Sequence, residues 1–156
     1  MLKKLEWELA QLASGWDEYK TFNFAVTAHH LHKDWIDRTG TREQKNRRKQ
    51  LPREAKLVLD AWRDITNASK HWCLNADGEY KRVVETVSKP IIGDWYAYFI
   101  AGPVIYVTIG DARPSIPELT HVTVKILSWI ISPQTVQFST ALLADVAVVL
   151  RLVPKQ

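Results

Sequence analysis

Three successive apolar stripes of helical period, each cut off by a turn former, constrain this chain more than any other feature. Leu2, Leu5, Leu9 and Leu12 recur at three- and four-residue intervals, which places them on one face of a helix over 2–14. Ser14-Gly15 ends that helix, since glycine turns the chain without a Cβ penalty. Phe24, Ala28, Leu31 and Trp35 form a second narrow stripe over 21–38, with Thr21 or Asn23 as its cap and Thr39-Gly40 as its stop. Pro52 suits the first turn of a third helix, where its missing N–H costs nothing. That helix runs to about Leu74 with Val58, Trp62, Ile65, Ser69 and Trp72 on one face, and the turn Asn75–Gly78 follows.

The second half mixes periods. Tyr80–Ser88 reads as a strand or a short helix, while Trp95–Ile100 and Val104–Ile109 flank the turn Ala101-Gly102-Pro103 as a hairpin that Gly110-Asp111 closes. Ser115 and Glu118 have the spacing of a capping box, and Leu119, Val122, Ile126, Trp129 and Ile130 continue the helix to about Ile131, before Pro133. Over 134–153, periodicity does not separate helix from strand. A terminal helix packed on the bundle or on a second subunit is the expectation. The fold class expected is mainly α: one domain over 1–156, an antiparallel helical bundle with a small β-hairpin insertion near 95–110.

Composition narrows the function classes. With 46% hydrophobic and 24% charged residues the chain is ordinary globular protein, neither disordered nor collagen-like. The single cysteine, Cys73, excludes an internal disulfide framework and a cysteine-rich zinc site. No apolar run is long enough for a conventional membrane span, and MLKKLEWELA lacks the apolar core of a secretory signal, so a cytoplasmic protein with no membrane partner is expected. Glycine-rich phosphate loops, H-E-x-x-H and a nucleophile elbow are all missing, which argues against nucleotide-driven motors, dehydrogenases and zinc proteases. No cofactor is expected.

Three clusters carry candidate chemistry. The first is basic. Between Arg38 and Lys56 stand eight Lys or Arg and two Glu, so the segment carries +6 while the whole chain carries +4. Arg42, Lys45, Arg47, Arg48 and Lys49 are the candidate nucleic-acid contacts, because cations that neutralise phosphates release counterions. The alternative is a solvated loop between helices two and three. No aromatic residue interrupts the segment, which weighs against single-strand stacking there. The second cluster is His29, His30 and His32. On an ideal wheel they do not converge, so no metal site is expected; His30 and Asp34 have the spacing of an ion pair.

The third is Arg63, Asn67 and His71, at i, i+4 and i+8, one polar ridge. Arginine holds phosphate, an amide orients it and an imidazole moves protons, which makes this a candidate ribonuclease set. A long helix also needs a polar face, and these residues supply one. The seven tryptophans sit mostly on apolar stripes and read as core, with Trp16 and Trp95 as candidate interface anchors.

The segment order, with Phe22–Trp35 on the second helix and Trp62–His71 on the third, resembles the HEPN group of small helical proteins (higher eukaryotes and prokaryotes nucleotide-binding). The N-x-x-K-H that closes the third helix is the most distinctive part, and the likeness covers roughly residues 16–75. It implies an up-and-down helical bundle, a homodimer, and a role in defence or toxin–antitoxin systems with RNA and an antitoxin as partners. Active members are similar to metal-independent endoribonucleases with an Arg and a His a few residues apart. Here that interval is longer, and one extra residue turns a helical side chain by about 100°. A non-catalytic or nucleic-acid-binding member is therefore the first expectation, and an RNase using Arg63, Asn67 and His71 the second. A structural or assembly subunit that engages partners through its apolar C-terminal segment is the third.

Overall fold

The computed structural model describes residues 1–13, 17–71, 83–88, 105–132 and 138–151. Its helices are α1 (Leu2–Ala13), α2 (Glu18–His30), α3 (Ile36–Thr39), α4 (Arg42–Lys49), α5 (Arg53–His71), α6 (Ile116–Ile131) and α7 (Thr140–Val149). A π-helical turn, Leu31–Trp35, joins α2 to α3 without a break. Strands β1 (Val84–Ser88) and β2 (Tyr106–Ile109) pair antiparallel, with Val84 opposite Ile109 and Ser88 opposite Tyr106. The fold is mainly helical with a small β insertion, as the periodicities require.

Most of the three stripes is buried, with Leu2, Leu9 and Trp35 half-buried at the edge of the core and Ser69 and Trp72 outside the described side chains. Leu5 and Leu12 of α1, Phe24, Ala28 and Leu31 of the second helix, and Val58, Trp62 and Ile65 of α5 all lie in one core. α2 packs most extensively on α5, and the Phe24 and Trp62 rings meet edge to face with centroids 5.0 Å apart. α6 closes the other side through Leu119, Val122, Ile126 and Ile130. There the Trp62 indole N–H donates to Thr123 Oγ1 at 2.6 Å, so the one polar atom of a fully buried ring is satisfied. α7, followed by Leu150, covers α5 and α6 with Leu142, Val146 and Leu150, so that within the open C-terminal segment Thr140–Val149 is a helix.

Several boundaries differ from the sequence reading. α2 begins earlier because Asp17, rather than Thr21 or Asn23, caps it by accepting from the Lys20 N–H at 2.7 Å; Thr21 is buried. The basic segment is a helix, not a loop. Thr41 and Gln44 form a reciprocal capping box at 2.9 and 3.2 Å that starts α4. Gly40 makes the sharp corner before it, where a Cβ would collide with the Ile36 carbonyl. The Ser115–Glu118 capping box is present as expected, at 2.7 and 3.3 Å. The strand expected over Val104–Ile109 is β2, but its partner among the described residues is β1, the segment left open between strand and helix. The first hairpin strand, Trp95–Ile100, lies outside the described residues, as do Ser14–Trp16, Trp72, Cys73, the Asn75–Gly78 turn and Pro133. Among the described residues no helix is long and apolar enough to cross a membrane.

Candidate nucleic-acid interface

The five basic residues of α4 do not act as one surface. Arg47 is buried, 4% exposed, and points inward. Its guanidinium donates to the carbonyls of Trp129, at 3.2 Å, and of Ser132, and pairs with Glu43. It thereby supplies donors to carbonyls that the end of α6 leaves without intrahelical partners. Arg48 turns the other way. It donates to the carbonyls of His32, at 2.9 Å, and Lys33, at 3.3 Å, and pairs with Asp37. These two arginines are clamps that hold α4 against α6 and against the π turn. Of the predicted contacts, Arg42 and Lys49 are exposed and Lys45 is half-buried.

The π turn and α5 enclose a cleft of about 220 Å³ lined by His29, His32, Lys33, Asp60, Arg63 and Asn67. It adjoins a wider, more open one of about 360 Å³ that shares His32, Lys33 and Asp60 and adds Arg48, Lys49 and Lys56. Together they form a groove with five cationic side chains and one carboxylate. π turns insert an extra residue into a helix and recur at functional sites. Here the end of α2, the π turn and the end of α4 form one wall of the groove and the outer face of α5 the other.

Of the polar ridge on α5, the described side chains are Arg63 and Asn67. Arg63 and Asn67 share the inner cleft. Arg63 is engaged by two carboxylates, donating to Asp60 Oδ1 at 3.0 Å and to Asp64 Oδ1 at 2.9 and 3.0 Å. Asp64 is buried and also accepts from the backbone N–H groups of Val83, at 2.6 Å, and Val84, at 3.0 Å, tying β1 to α5. His71 is the last residue of α5, and its side chain lies outside those described.

The histidines divide. His30 pairs with Asp34 on the outer side, as their spacing suggested. His29 and His32 face the cleft instead. Burial, helped by the nearby Arg48, His29 and Lys33, pushes the His32 imidazole down to about 3. It is neutral at physiological pH and too weakly basic to serve well as a general base there. His32 Nδ1 is buried with no hydrogen-bond partner among the described residues. Burial raises the Asp60 carboxyl above the usual aspartate range, although Arg63 beside it pulls the other way. Among the described residues, no three His, Cys, Asp or Glu side chains are grouped so as to hold a metal ion.

Asp60, Lys56 and the cleft-facing pair His29 and His32 were not singled out by the sequence reading as one site. Their joining depends on how α2 docks on α5, which periodicity does not specify. Comparison with protein-family models, with curated proteins and with solved structures finds no match for this chain.

Proposed function

We propose that this chain is a HEPN-like RNA-binding protein that takes a single strand along the groove between the π turn and α5, as a non-catalytic component of a defence or toxin–antitoxin type system. The observation that carries this reading is the groove's lining, where Lys33, Lys49 and Lys56 stand beside two arginines already paired with Asp37, Asp60 and Asp64. Phosphate contact by such a lining is favoured by counterion release. The segment order implies the family, and with it a cytoplasmic homodimer and an antitoxin partner. Binding is favoured over cleavage because Arg63 already faces Asp60 and Asp64, which offset the charge that a developing phosphate oxyanion needs.

Fluorescence anisotropy with a labelled unstructured RNA tests the proposal. At about 50 mM salt, wild type is expected to bind, and Lys49→Gln with Lys56→Gln to bind roughly tenfold or more weakly. Lys3→Gln, on the exposed face of α1, is the control. Equal affinity in the groove variant and the control would refute the groove as the RNA site.

A second reading, a structural subunit working through its C-terminal segment, is favoured by one observation. α7 keeps Val148 74% and Leu143 37% exposed while burying its opposite face. Sedimentation of Val148→Lys against wild type tests it: a shift from dimer to monomer supports the reading, and an unchanged assembly rejects it.

A further inference from the structure

The two compartments of the groove differ in chemistry as well as in size, and the difference names a ligand part for each. The wider one sets Lys33, Lys49 and Lys56, with Arg48 held by Asp37, around the shared His32 and Asp60, a lining with cations in excess that suits phosphate. Lys56 spends one ammonium proton on the Lys49 carbonyl at 3.1 Å and keeps two further donors. The more enclosed one is mixed: two imidazoles, an amide, a carboxylate and cations line about 220 Å³. Asp60 lines both compartments, but in this one it faces only Lys33 and an Arg63 already paired with it and with Asp64, so a phosphate would find little uncompensated positive charge there. A planar, hydrogen-bonding ring would not be repelled by the carboxylate.

We propose, resting on the RNA-binding reading above, that the enclosed compartment is a nucleobase pocket selective for guanine, filled by a base splayed out of single-stranded RNA while its phosphate lies on Lys49 and Lys56. Asp60 is the discriminating residue. An ionised carboxylate only accepts hydrogen bonds, and it has lone pairs to spare on both oxygens. Arg63 occupies one of those on Oδ1, at 3.0 Å, and fixes the carboxylate in the wall of the cleft. Guanine alone among the four bases sets two neighbouring N–H donors, N1 and N2, on its Watson–Crick edge. Asn67 and Lys33 supply N–H donors on the same lining for guanine O6. Adenine and cytosine would turn a ring-nitrogen lone pair toward the carboxylate beside their amino group, and uracil would turn carbonyls toward it on both sides of its single N–H.

The imidazoles supply the remaining contact. Bases in single-stranded RNA are commonly held by stacking on aromatic side chains, histidine included. His32 remains uncharged at neutral pH, which suits it to lie against a ring. Its ring is one of the two imidazoles that line the cleft. Bases stacked inside a duplex cannot reach such a pocket without being unpaired, which restricts the site to single strands.

The test uses short uridine oligomers carrying a central G, A, C or U, with binding followed by anisotropy. The G oligomer is expected to bind roughly 5- to 150-fold tighter than the others, the scale of one bidentate base contact. Asp60→Asn replaces one acceptor by a donor and is expected to bring the G-to-U ratio close to one. Should that variant fold poorly, competition on wild type serves instead, with guanosine monophosphate displacing the oligomer at lower concentration than adenosine monophosphate. Equal binding of all four oligomers, with the two mononucleotides equally effective, overturns the guanine pocket and leaves the RNA-binding reading standing. Absence of binding by every oligomer at about 50 mM salt removes both.

Discussion

Replacing Arg47 by Met separates a structural clamp from an RNA contact. The substitution keeps an unbranched apolar stem in a position that is 4% exposed and removes only the guanidinium. Two carbonyls at the end of α6, those of Trp129 and Ser132, then lose their donor, and α4 loses its anchor. The partner carboxylate of Glu43 is 64% exposed, so water takes over its solvation and little further cost arises there. A hydrogen bond involving a charged group contributes about 1.5–3 kcal/mol, so losing two and regaining some apolar burial should cost about 3 kcal/mol. For a chain of this size that lowers Tm by roughly 6–12 °C. Exposed Arg42→Met should stay within about 0.5 kcal/mol of wild type. Urea and thermal unfolding measure both, and RNA anisotropy on folded protein accompanies them. An Arg47→Met protein as stable as wild type but deficient in RNA binding would refute this assignment.

Two further predictions concern pH. Glu8 is 5% exposed; its Oε1 accepts from Thr27 at 2.9 Å, but burial outweighs that bond and raises its carboxyl above the usual glutamate range. The folded chain therefore holds a proton that the unfolded chain releases, and this group's contribution to stability falls as pH rises from the usual glutamate range through the raised value. Glu8→Gln should stabilise the protein at pH 7 and lose that advantage in acid; equal unfolding midpoints at both pH values would contradict it. His32 has the opposite sign: the unfolded chain takes up a proton near pH 6.5 that the folded chain refuses until about 3. Stability should fall as pH drops through that window, and less steeply in His32→Gln. The His32 ring resonances should show no titration between about pH 8 and 5, and a midpoint near the ordinary histidine value would show the ring to be hydrated.

How much of this was legible beforehand follows from the range of each interaction. Leu5, Leu12, Phe24, Val58, Trp62 and Ile126 announce their burial by spacing alone, because a helix converts local sequence directly into a face. The Ser115–Glu118 box is equally local. Thr41–Gln44 is just as local, but the dense run of arginines and lysines that follows it has no apolar stripe to mark a helix. The fates of Arg47 and Arg48 were not legible. Adjacent in sequence, they turn to α6 and to the π turn, and only tertiary packing decides which cation is spent internally. The candidate site divides in the same way. Arg63 and Asn67 share a face by periodicity, whereas Asp60 meets His32 through the docking of α2 on α5. The π turn has no simple sequence mark, so the wheel that scattered the histidines assumed a regular helix throughout.

The most direct test of the central claim is the salt dependence of RNA binding by the groove. Each phosphate neutralised in a single strand contributes a slope of about −0.7 to log Kobs against log salt. Wild type should show a slope of about −2 to −3, corresponding to roughly three to four phosphates spread over the cationic lining. Replacing Lys33, Lys49 and Lys56 by Gln should reduce its magnitude by about 2 while the circular dichroism spectrum stays that of a mainly helical protein. A wild-type slope near zero, or a steep slope that the three replacements leave unchanged, would contradict the account.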